Sequence, residues 1–255
     1  MSRIRICIDE PKLQQICGIF QEAVVELHEV GQGVPGVRYE TLARATAVSR
    51  DMISLCIVLD GLVSDYLRSA VEIIGLMEAN LDGPETTQKI SDQHLSDCKT
   101  LAVLKAFFVF CRAYHDIAAA LLLEAYSTAA TKPPKLASME KHVINGKPVP
   151  LFNDLMKEYP NYPSAFTKMR TRRNRIKEGV AMHGGVSTTN GRSWMTMRIE
   201  ACVVEDGCPK YITADDMTTD CIYECVNTCA RLTATIIKIL RPRIGGAIAS
   251  GAEGK

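Results

Sequence analysis

Most of this chain carries hydrophobic residues at helical rather than strand spacing. Residues 101–126 read LAVLKAFFVFCRAYHDIAAALLLEAY, which is apolar on nearly every side and contains neither Gly nor Pro. A helix of that kind must be surrounded by other elements. We therefore predict a central helix of about 40 Å, at 1.5 Å per residue. The polar residues 86–97 before it are predicted to form a separate short helix or a lid.

One segment alternates as a strand does. In residues 195–203 the odd positions are Met, Met, Ile, Ala and Val, whereas the even positions are Thr, Arg, Glu and Cys. This period of two favours a half-buried strand, and the turn EDGC followed by KYIT favours a hairpin. A last helix follows, with Ile222, Val226 and Leu240 at core spacing. The predicted fold class is thus mostly α, a helical bundle around one long apolar central helix, with a late β-hairpin before the last helix.

The extent of this pattern predicts one helical domain over residues 1–243. Residues 244–255, IGGAIASGAEGK, have no hydrophobic period, so we expect a mobile tail. Hydrophobic residues make up 47% of the chain, which allows a sizeable core. The N-terminal sequence MSRIRICIDE lacks the apolar core of a signal peptide, and charged residues interrupt the central helix. We expect a cytoplasmic protein without a membrane partner.

The chain contains ten cysteines. Disulfides are rare in the cytosol, and cysteines in apolar runs, such as Cys17 and Cys111, behave as small buried hydrophobes. Cys221, Cys225 and Cys229 share one stripe of the last helix. That stripe raises a thiolate metal site as an alternative, but a spacing by fours does not match the common zinc patterns. We expect no metal and no other cofactor.

A polar stripe marks the central helix. At 100° per residue, Lys105, Arg112 and Asp116 fall on one side of it, with His115 beside them. Such a stripe is either a solvated, ion-paired edge or the lining of a cleft, and charged side chains favour the surface. In the cleft alternative, Arg112, His115 and Asp116 are candidate ligand-binding residues. His115 is then either a structural, hydrogen-bonded histidine or a catalytic one.

The segment TRRNRIKEGVAMHGG, residues 171–185, carries the candidate chemistry. The formal net charge of the whole chain is only +1, so this dense basic group concentrates the electric field at one place. Arg offers a planar fork of donors that suits phosphate oxygens. The candidate phosphate ligands are Arg172, Arg173, Asn174 and Lys177. The alternative is a solvated basic face of a helix.

Arg173-Asn174 lies late in the chain, before the closing helix, and resembles the motif of the HEPN superfamily. These are helical-bundle domains of prokaryotic RNases, toxins and defence proteins, and their motif is an Arg, usually a polar residue, and a His after four to six intervening residues. The resemblance spans about residues 95–240: a long apolar helix, a loop with Pro, a motif helix and a closing helix. This chain departs from the motif, because the His would fall at 178–180, where it has Glu, Gly and Val.

The resemblance implies cleavage of RNA without a metal. A base removes the 2′-OH proton, that oxygen attacks the adjacent phosphorus, and Arg173 and Asn174 stabilise the developing charge. The base is either Glu178 or His183, folded back after the glycines; if neither serves, the bundle only binds RNA. The family also implies a homodimer with one composite site, and a toxin or defence role with an antitoxin or other protein partner. The alternative is a catalytically inactive adaptor that binds a protein partner or a nucleotide.

Overall fold

Six helices form most of the part of the chain that this computed structural model describes, namely residues 10–78, 83–126, 150–189, 192–205, 208–217 and 219–245. In chain order they are α1 (Glu10–Gln32), α2 (Tyr39–Glu78), α3 (Pro84–Tyr126), α4 (Pro150–Glu158), α5 (Tyr162–Glu178) and α6 (Thr219–Leu240). A short 3-10 turn, Arg241–Arg243, follows α6. The predicted mostly α bundle is confirmed. From residue 246 on, the predicted tail lies outside the described residues.

The predicted central helix is part of a longer one. α3 begins at Pro84 and is 43 residues long, so the polar residues 86–97 continue the helix and do not form a separate lid. Pro is favoured at the first position of a helix, where its missing N–H would have no intrahelical partner. The part predicted from its apolar pattern supplies most of the described buried side chains of α3, among them Leu104, Leu121 and Leu122.

Within α3, Thr87–Tyr126 is long and apolar enough, by length and composition alone, to cross a membrane. Inside the protein, 56% of its apolar window is buried. The core helix of a soluble protein passes the same test of length and composition, so this helix is weak evidence for a membrane. The expectation of no membrane partner stays a prediction.

Among the described residues, three strands follow α5. They are β1 (Gly179–Thr189), β2 (Arg192–Glu205) and β3 (Cys208–Met217). Their backbones form an antiparallel sheet in the order β1-β2-β3, with irregular register near Gly179 in the first pair and near Ile199 in the second. The side chains of these strands lie outside the described residues. The late β-hairpin, as an element packed before the last helix, therefore stays a prediction.

The described residues divide into two compact units. The first unit draws its residues from 1–14, 54–108 and 171–223, and the second unit draws its residues from 15–53, 109–170 and 224–255. Each unit is considered separately below. The single domain over residues 1–243 stays a prediction.

In the first unit, polar contacts lie at the surface and apolar side chains lie inside. Lys89 Nζ on α3 is 2.6 Å from Glu72 Oε2 on α2, and the hydrogen bond and charge of Lys89 lower the pKa of that carboxyl. At the beginning of α1, Lys12 Nζ lies 4.4 Å from the ring centroid of Tyr223. Exposed ion pairs contribute little to stability. Buried side chains such as Phe107 provide most of it.

In the second unit, α3 is the helix that the others contact. From α1, the ring of Phe20 meets the ring of Tyr114 edge to face, with 5.0 Å between centroids. From α6, Thr233 Oγ1 lies 2.6 Å from the hydroxyl of Tyr114. From α5, the ring of Phe166 lies 5.5 Å from the ring of His115. These contacts explain why this part of α3 carries apolar or hydrogen-bonded residues where the other helices cover it.

The carboxylate of Glu124, near the end of α3, caps the beginning of α2. It accepts hydrogen bonds from the backbone N–H of Arg38 at 3.1 Å, from Arg38 Nε at 2.7 Å and from Thr41 Oγ1 at 2.8 Å. The first N–H groups of a helix have no intrahelical partner, and the helix N-terminus favours negative charge. One buried carboxylate therefore fixes where α2 begins in the second unit.

Candidate functional site

The basic end of α5, by which we mean Arg172, Arg173, Asn174 and Lys177, occupies the last two turns of that helix in the first unit. Ile176 anchors this stretch, since its side chain is only 1% exposed. Arg172, Arg173 and Asn174 are partly buried, whereas Lys177 is exposed. Lys177 follows Arg173 by four residues, which places both on the same side of the helix. The sequence thus presents three cations and an amide beside one apolar anchor.

Arg173 has a fixed neighbour within the basic end of α5. Its Nη1 donates a hydrogen bond of 3.0 Å to Asn174 Oδ1. A hydrogen bond between adjacent side chains restricts the plane of the guanidinium group, and it leaves the amide NH₂ of Asn174 as a donor. Partial burial also limits the rotamers open to Arg173. The motif pair is therefore preorganised to present donors to an anion.

The two candidate bases, Glu178 and His183, have side chains outside the described residues. On the backbone, Glu178 is the last residue of α5, four residues after Asn174. His183 lies in β1, opposite Arg198 of β2. The glycines at 184 and 185 lie within β1, so the backbone makes no turn there. The roles of both residues in proton transfer stay predictions, and the strand gives no support to a fold-back of His183 at those glycines.

Two residues of the polar stripe of α3, Arg112 and Asp116, form an ion pair. In the second unit, Arg112 Nε lies 2.7 Å from Asp116 Oδ1, one helical turn later, with side-chain exposures of 13% and 37%. The guanidinium group of Arg112 also lies over the ring of Phe166, 5.0 Å from its centroid. Arg112 is thus held by a carboxylate and an aromatic face together. The pair has the geometry of the ion-paired edge that was one of the two predicted alternatives.

The surroundings of His115 are those expected for the structural, hydrogen-bonded alternative. Its side chain is 1% exposed. A hydrogen bond of 2.9 Å joins its Nδ1 to the hydroxyl of Tyr162, whose ring stacks on the imidazole. Burial, reinforced by the charge of Arg112 and opposed by that of Asp116, lowers the pKa of His115 to about 3. A lowered pKa favours the neutral imidazole at physiological pH.

Around His115 lies a buried cluster of polar side chains in the second unit, consisting of Cys111, Tyr114, His115, Tyr162, Cys229 and Thr233. Cys229 Sγ is 3.7 Å from His115 Nε2 and 3.8 Å from Cys111 Sγ. Cys225, one turn earlier on α6, hydrogen-bonds to Cys111. That bond lowers the pKa of Cys111, but the bond with Cys229 and burial outweigh it and leave the pKa well above its usual value.

In the buried cluster, the hydroxyl groups of Tyr114 and Thr233 form a chain of hydrogen bonds in which each donor can be identified. Thr233 Oγ1 donates to the backbone carbonyl of Cys229 at 2.7 Å, which uses its only proton. In the 2.6 Å contact between Tyr114 and Thr233, the donor is therefore Tyr114. Burial raises the pKa of Tyr114, so that it keeps its proton. The two hydroxyls are both satisfied although no solvent reaches them.

The sequence did not predict that Cys111, Cys229 and Tyr162 lie beside His115. The available signal was two pairs spaced by four residues, Cys111 with His115 and Cys225 with Cys229. A spacing by four puts each pair on one side of its helix. The pattern says nothing about which sides of two helices face each other, and that placement is what forms the buried cluster.

No known protein family, curated protein or solved structure matches this chain.

Proposed function

We propose that the protein binds RNA, or another phosphate-bearing ligand, at the basic end of α5. The observation that carries this proposal is the hydrogen bond between Arg173 and Asn174 on a partly buried helical surface. It holds a guanidinium fork in place, which is the arrangement that recognises phosphate oxygens with two donors. Arg172 and Lys177 add positive charge close by. Because the net charge of the chain is only +1, this local charge dominates the attraction of a polyanion.

The same residues support a catalytic proposal of HEPN type. In a metal-independent endoribonuclease of a toxin or defence system, Arg173 would stabilise the negative charge on the phosphorane-like transition state, and Asn174 would orient it. The proton-transfer group is Glu178, with His183 as the alternative. Glu178 is favoured because it ends the helix that carries Arg173, one turn after Asn174. The proposed fold of this endoribonuclease includes a late β-hairpin between α5 and α6.

A homodimer is part of the proposal, because in the HEPN family two motif helices meet and build one composite site. Lys177, next to the apolar anchor Ile176, is exposed and could contact a second copy at the basic end of α5. Light scattering of the purified chain tests this directly. A monomer at the concentrations of the RNA assay would remove the composite site from the proposal, although a monomer could still bind RNA.

The second candidate is a catalytically inactive adaptor, favoured by the surface between α1 and α2 in the second unit. A groove there is lined by Val25, His28, Tyr39 and Ala43 among others. Val25 is 53% exposed and Tyr39 is 65% exposed, although both are apolar or aromatic. His28 and Tyr39 meet edge to face at 5.6 Å. Aromatic side chains in an open groove suit a protein partner.

RNA binding and RNA degradation in excess EDTA test these proposals. Arg173→Ala should reduce cleavage about a hundredfold or more, because one preorganised donor to a developing oxyanion contributes that much. Arg173→Lys should recover only part of the activity, since a point charge cannot replace a planar fork. Glu178→Gln and His183→Ala, assayed separately, identify the proton-transfer group. The affinity of the wild type for RNA should fall steeply with added salt.

Arg44→Ala is the matched control, because Arg44 is an exposed arginine on α2 and lies outside the basic end of α5. It should leave RNA affinity unchanged. Circular dichroism in the same EDTA buffer verifies that each variant is folded. If the wild type leaves RNA intact and Arg173→Ala binds RNA as tightly as the wild type does, the nuclease and RNA-binding proposals both fail. The adaptor then remains.

A further inference from the structure

The buried cluster in the second unit contains three metal-ligand side chains whose donor atoms already converge. Cys111, His115 and Cys229 each offer one ligand atom, and these atoms all lie within 4.8 Å of one another. All three side chains are at most 1% exposed. Two of them come from α3, one turn apart, and the third comes from α6. We propose that this cluster, completed by Cys225, is a structural zinc site that joins α3 to α6.

The distances fit the proposed ion. Zinc binds thiolate sulfur at about 2.3 Å and imidazole nitrogen at about 2.0–2.1 Å in tetrahedral geometry. Tetrahedral angles then require about 3.8 Å between two sulfurs and about 3.6 Å between a sulfur and a nitrogen. The observed distances are 3.8 Å between the sulfurs of Cys111 and Cys229, and 3.7 Å from Cys229 Sγ to His115 Nε2. An ion could therefore enter with only small movements of these donors.

The orientation of His115 also matches that of a metal ligand. Its Nε2 faces the sulfur of Cys229, whereas its Nδ1 is bonded to the hydroxyl of Tyr162 at 2.9 Å. Histidines that bind a metal usually donate a hydrogen bond from the other ring nitrogen, which fixes the ring and the tautomer. Stacking of Tyr162 on the imidazole adds a second restraint. Tyr162 is thus a positioning residue in the proposed site.

Cys225 is the fourth ligand in this proposal. It lies one turn before Cys229 on α6, is 2% exposed and is close enough to the thiol of Cys111 to lower its pKa. It is not one of the three donors that already lie within 4.8 Å of one another, so its side chain has to turn toward the ion. With it, each helix supplies two ligands spaced by four residues. Three cysteines and one histidine form one of the common structural zinc sets.

Full enclosure argues for a structural rather than a catalytic ion. A catalytic zinc keeps one position open for water or substrate, whereas a structural zinc is closed by four protein ligands. Here every proposed ligand is buried, so substrate would have no access. Soft thiolates also select zinc over magnesium or calcium, which prefer oxygen. Because the ligands are buried, the ion should enter while the chain folds.

The test is refolding of the full chain in reducing buffer with zinc, followed by gel filtration and elemental analysis. We expect about one zinc ion per chain, as in a single four-ligand site. Refolding with Co²⁺ should give a thiolate-to-cobalt charge-transfer band and the intense visible bands of a tetrahedral thiolate site. The zinc-refolded protein should also unfold at a higher temperature than the protein refolded in EDTA.

Cys111→Ser, Cys229→Ser and His115→Gln should each lose the bound zinc. Cys17→Ser is the matched control, because Cys17 is a buried cysteine of the second unit outside the buried cluster, and it should keep the zinc. If the ligand variants do not fold, the Co²⁺ spectrum of the wild type decides alone. The proposal is overturned if wild type retains no zinc and gives no cobalt bands, or if Cys229→Ser retains zinc as the wild type does.

This site is independent of the RNA-binding proposal, since none of its ligands belongs to the basic end of α5. Arg173→Ala should therefore bind as much zinc as the wild type does. A protein that binds RNA but no zinc would overturn only the metal site. A protein that binds zinc but no RNA would overturn only the proposed function.

Discussion

The basic end of α5 and the buried cluster around His115 use polar side chains in different ways. In the buried cluster, each hydroxyl and the imidazole have protein partners within the second unit, at 2.6 to 3.7 Å. At the basic end of α5, Lys177 is exposed and Arg173 is only partly buried. Buried polar groups must find their partners inside the protein, whereas exposed cations can take theirs from a ligand. We therefore expect substitutions in the buried cluster to change stability, and those at the basic end of α5 to change binding.

The largest expected effect is that of Tyr114→Ala in the buried cluster. Tyr114 is fully buried against Phe20, so its removal leaves a cavity in the second unit. We expect a loss of about 3–5 kcal/mol in the free energy of unfolding, as for other large aromatic residues replaced by Ala in cores. Urea unfolding measures it. Val109→Ala is the control on the same helix, since Val109 is exposed, and a similar loss there would contradict the assignment of Tyr114 to a core.

The next effect is a dependence of stability on pH. Because the pKa of His115 is lowered to about 3 in the folded protein, the unfolded chain binds a proton there below about pH 6.5 while the native state does not. Stability is therefore highest above that pH and falls as the pH drops towards 3. Between pH 7 and pH 5 we expect a loss of about 2 kcal/mol.

The measurement is chemical unfolding of the metal-free protein in EDTA at several pH values, for wild type and His115→Gln. The difference between the two curves isolates the contribution of His115, because the carboxylates titrate in both. Parallel curves over this range would show that His115 takes up a proton in the folded state as easily as in the unfolded state. His115 would then no longer be evidence that the buried cluster acts on stability.

A smaller effect distinguishes the donor of one hydrogen bond, Tyr114, from its acceptor, Thr233. Thr233→Val should cost about 2 kcal/mol, because it leaves the buried hydroxyl of Tyr114 without an acceptor. Tyr114→Phe should cost only about 1 kcal/mol, because Thr233 still donates to the carbonyl of Cys229. Both variants can be unfolded in urea under identical conditions. The opposite order of the two losses would reverse the direction that we assign to these protons.

The smallest expected effect on stability is that of Arg173→Ala. Its side chain is partly exposed, and its hydrogen bond joins it to the adjacent residue, so we expect a change within about 0.5 kcal/mol. Thermal unfolding, carried out beside the RNA assay, measures it. A loss above that range would mean that Arg173 supports the fold. A reduced affinity for RNA could then not be assigned to a lost phosphate contact.

The central helix could be predicted from the sequence because its apolar period is long and uninterrupted. Its beginning could not, since residues 86–97 are polar and resemble a separate segment. A helix tolerates polar residues wherever its sides face solvent, and there they leave no apolar pattern. Pro84 is the first residue of α3, a position that proline favours. Propensity and period thus located the buried part of the helix better than its start.

The two candidate sites also differ in how far the sequence alone could predict them. The basic end of α5 is local, so Arg173 and Asn174 could be singled out by their adjacency alone. The buried cluster is not local, because Cys111 and Cys229 are 118 residues apart. Their meeting depends on how two helices pack, and spacing along one helix cannot specify that. The proposed zinc ligands are therefore visible in the sequence only as two separate halves, and the cysteines of α6 alone do not predict a metal site, because a spacing by fours does not match the common zinc patterns.

The contact between Tyr114 and Thr233 gives the second unit an internal spectroscopic reporter. The hydroxyl proton of Tyr114 is shielded from water and donated to a single acceptor at 2.6 Å. Hydroxyl protons in water usually exchange too fast to be seen by nuclear magnetic resonance, but exchange of a buried one must wait for an opening of the surrounding structure. The resonance of this buried proton would follow the integrity of this core without any label, and its rate of exchange would measure how often α3 and α6 separate.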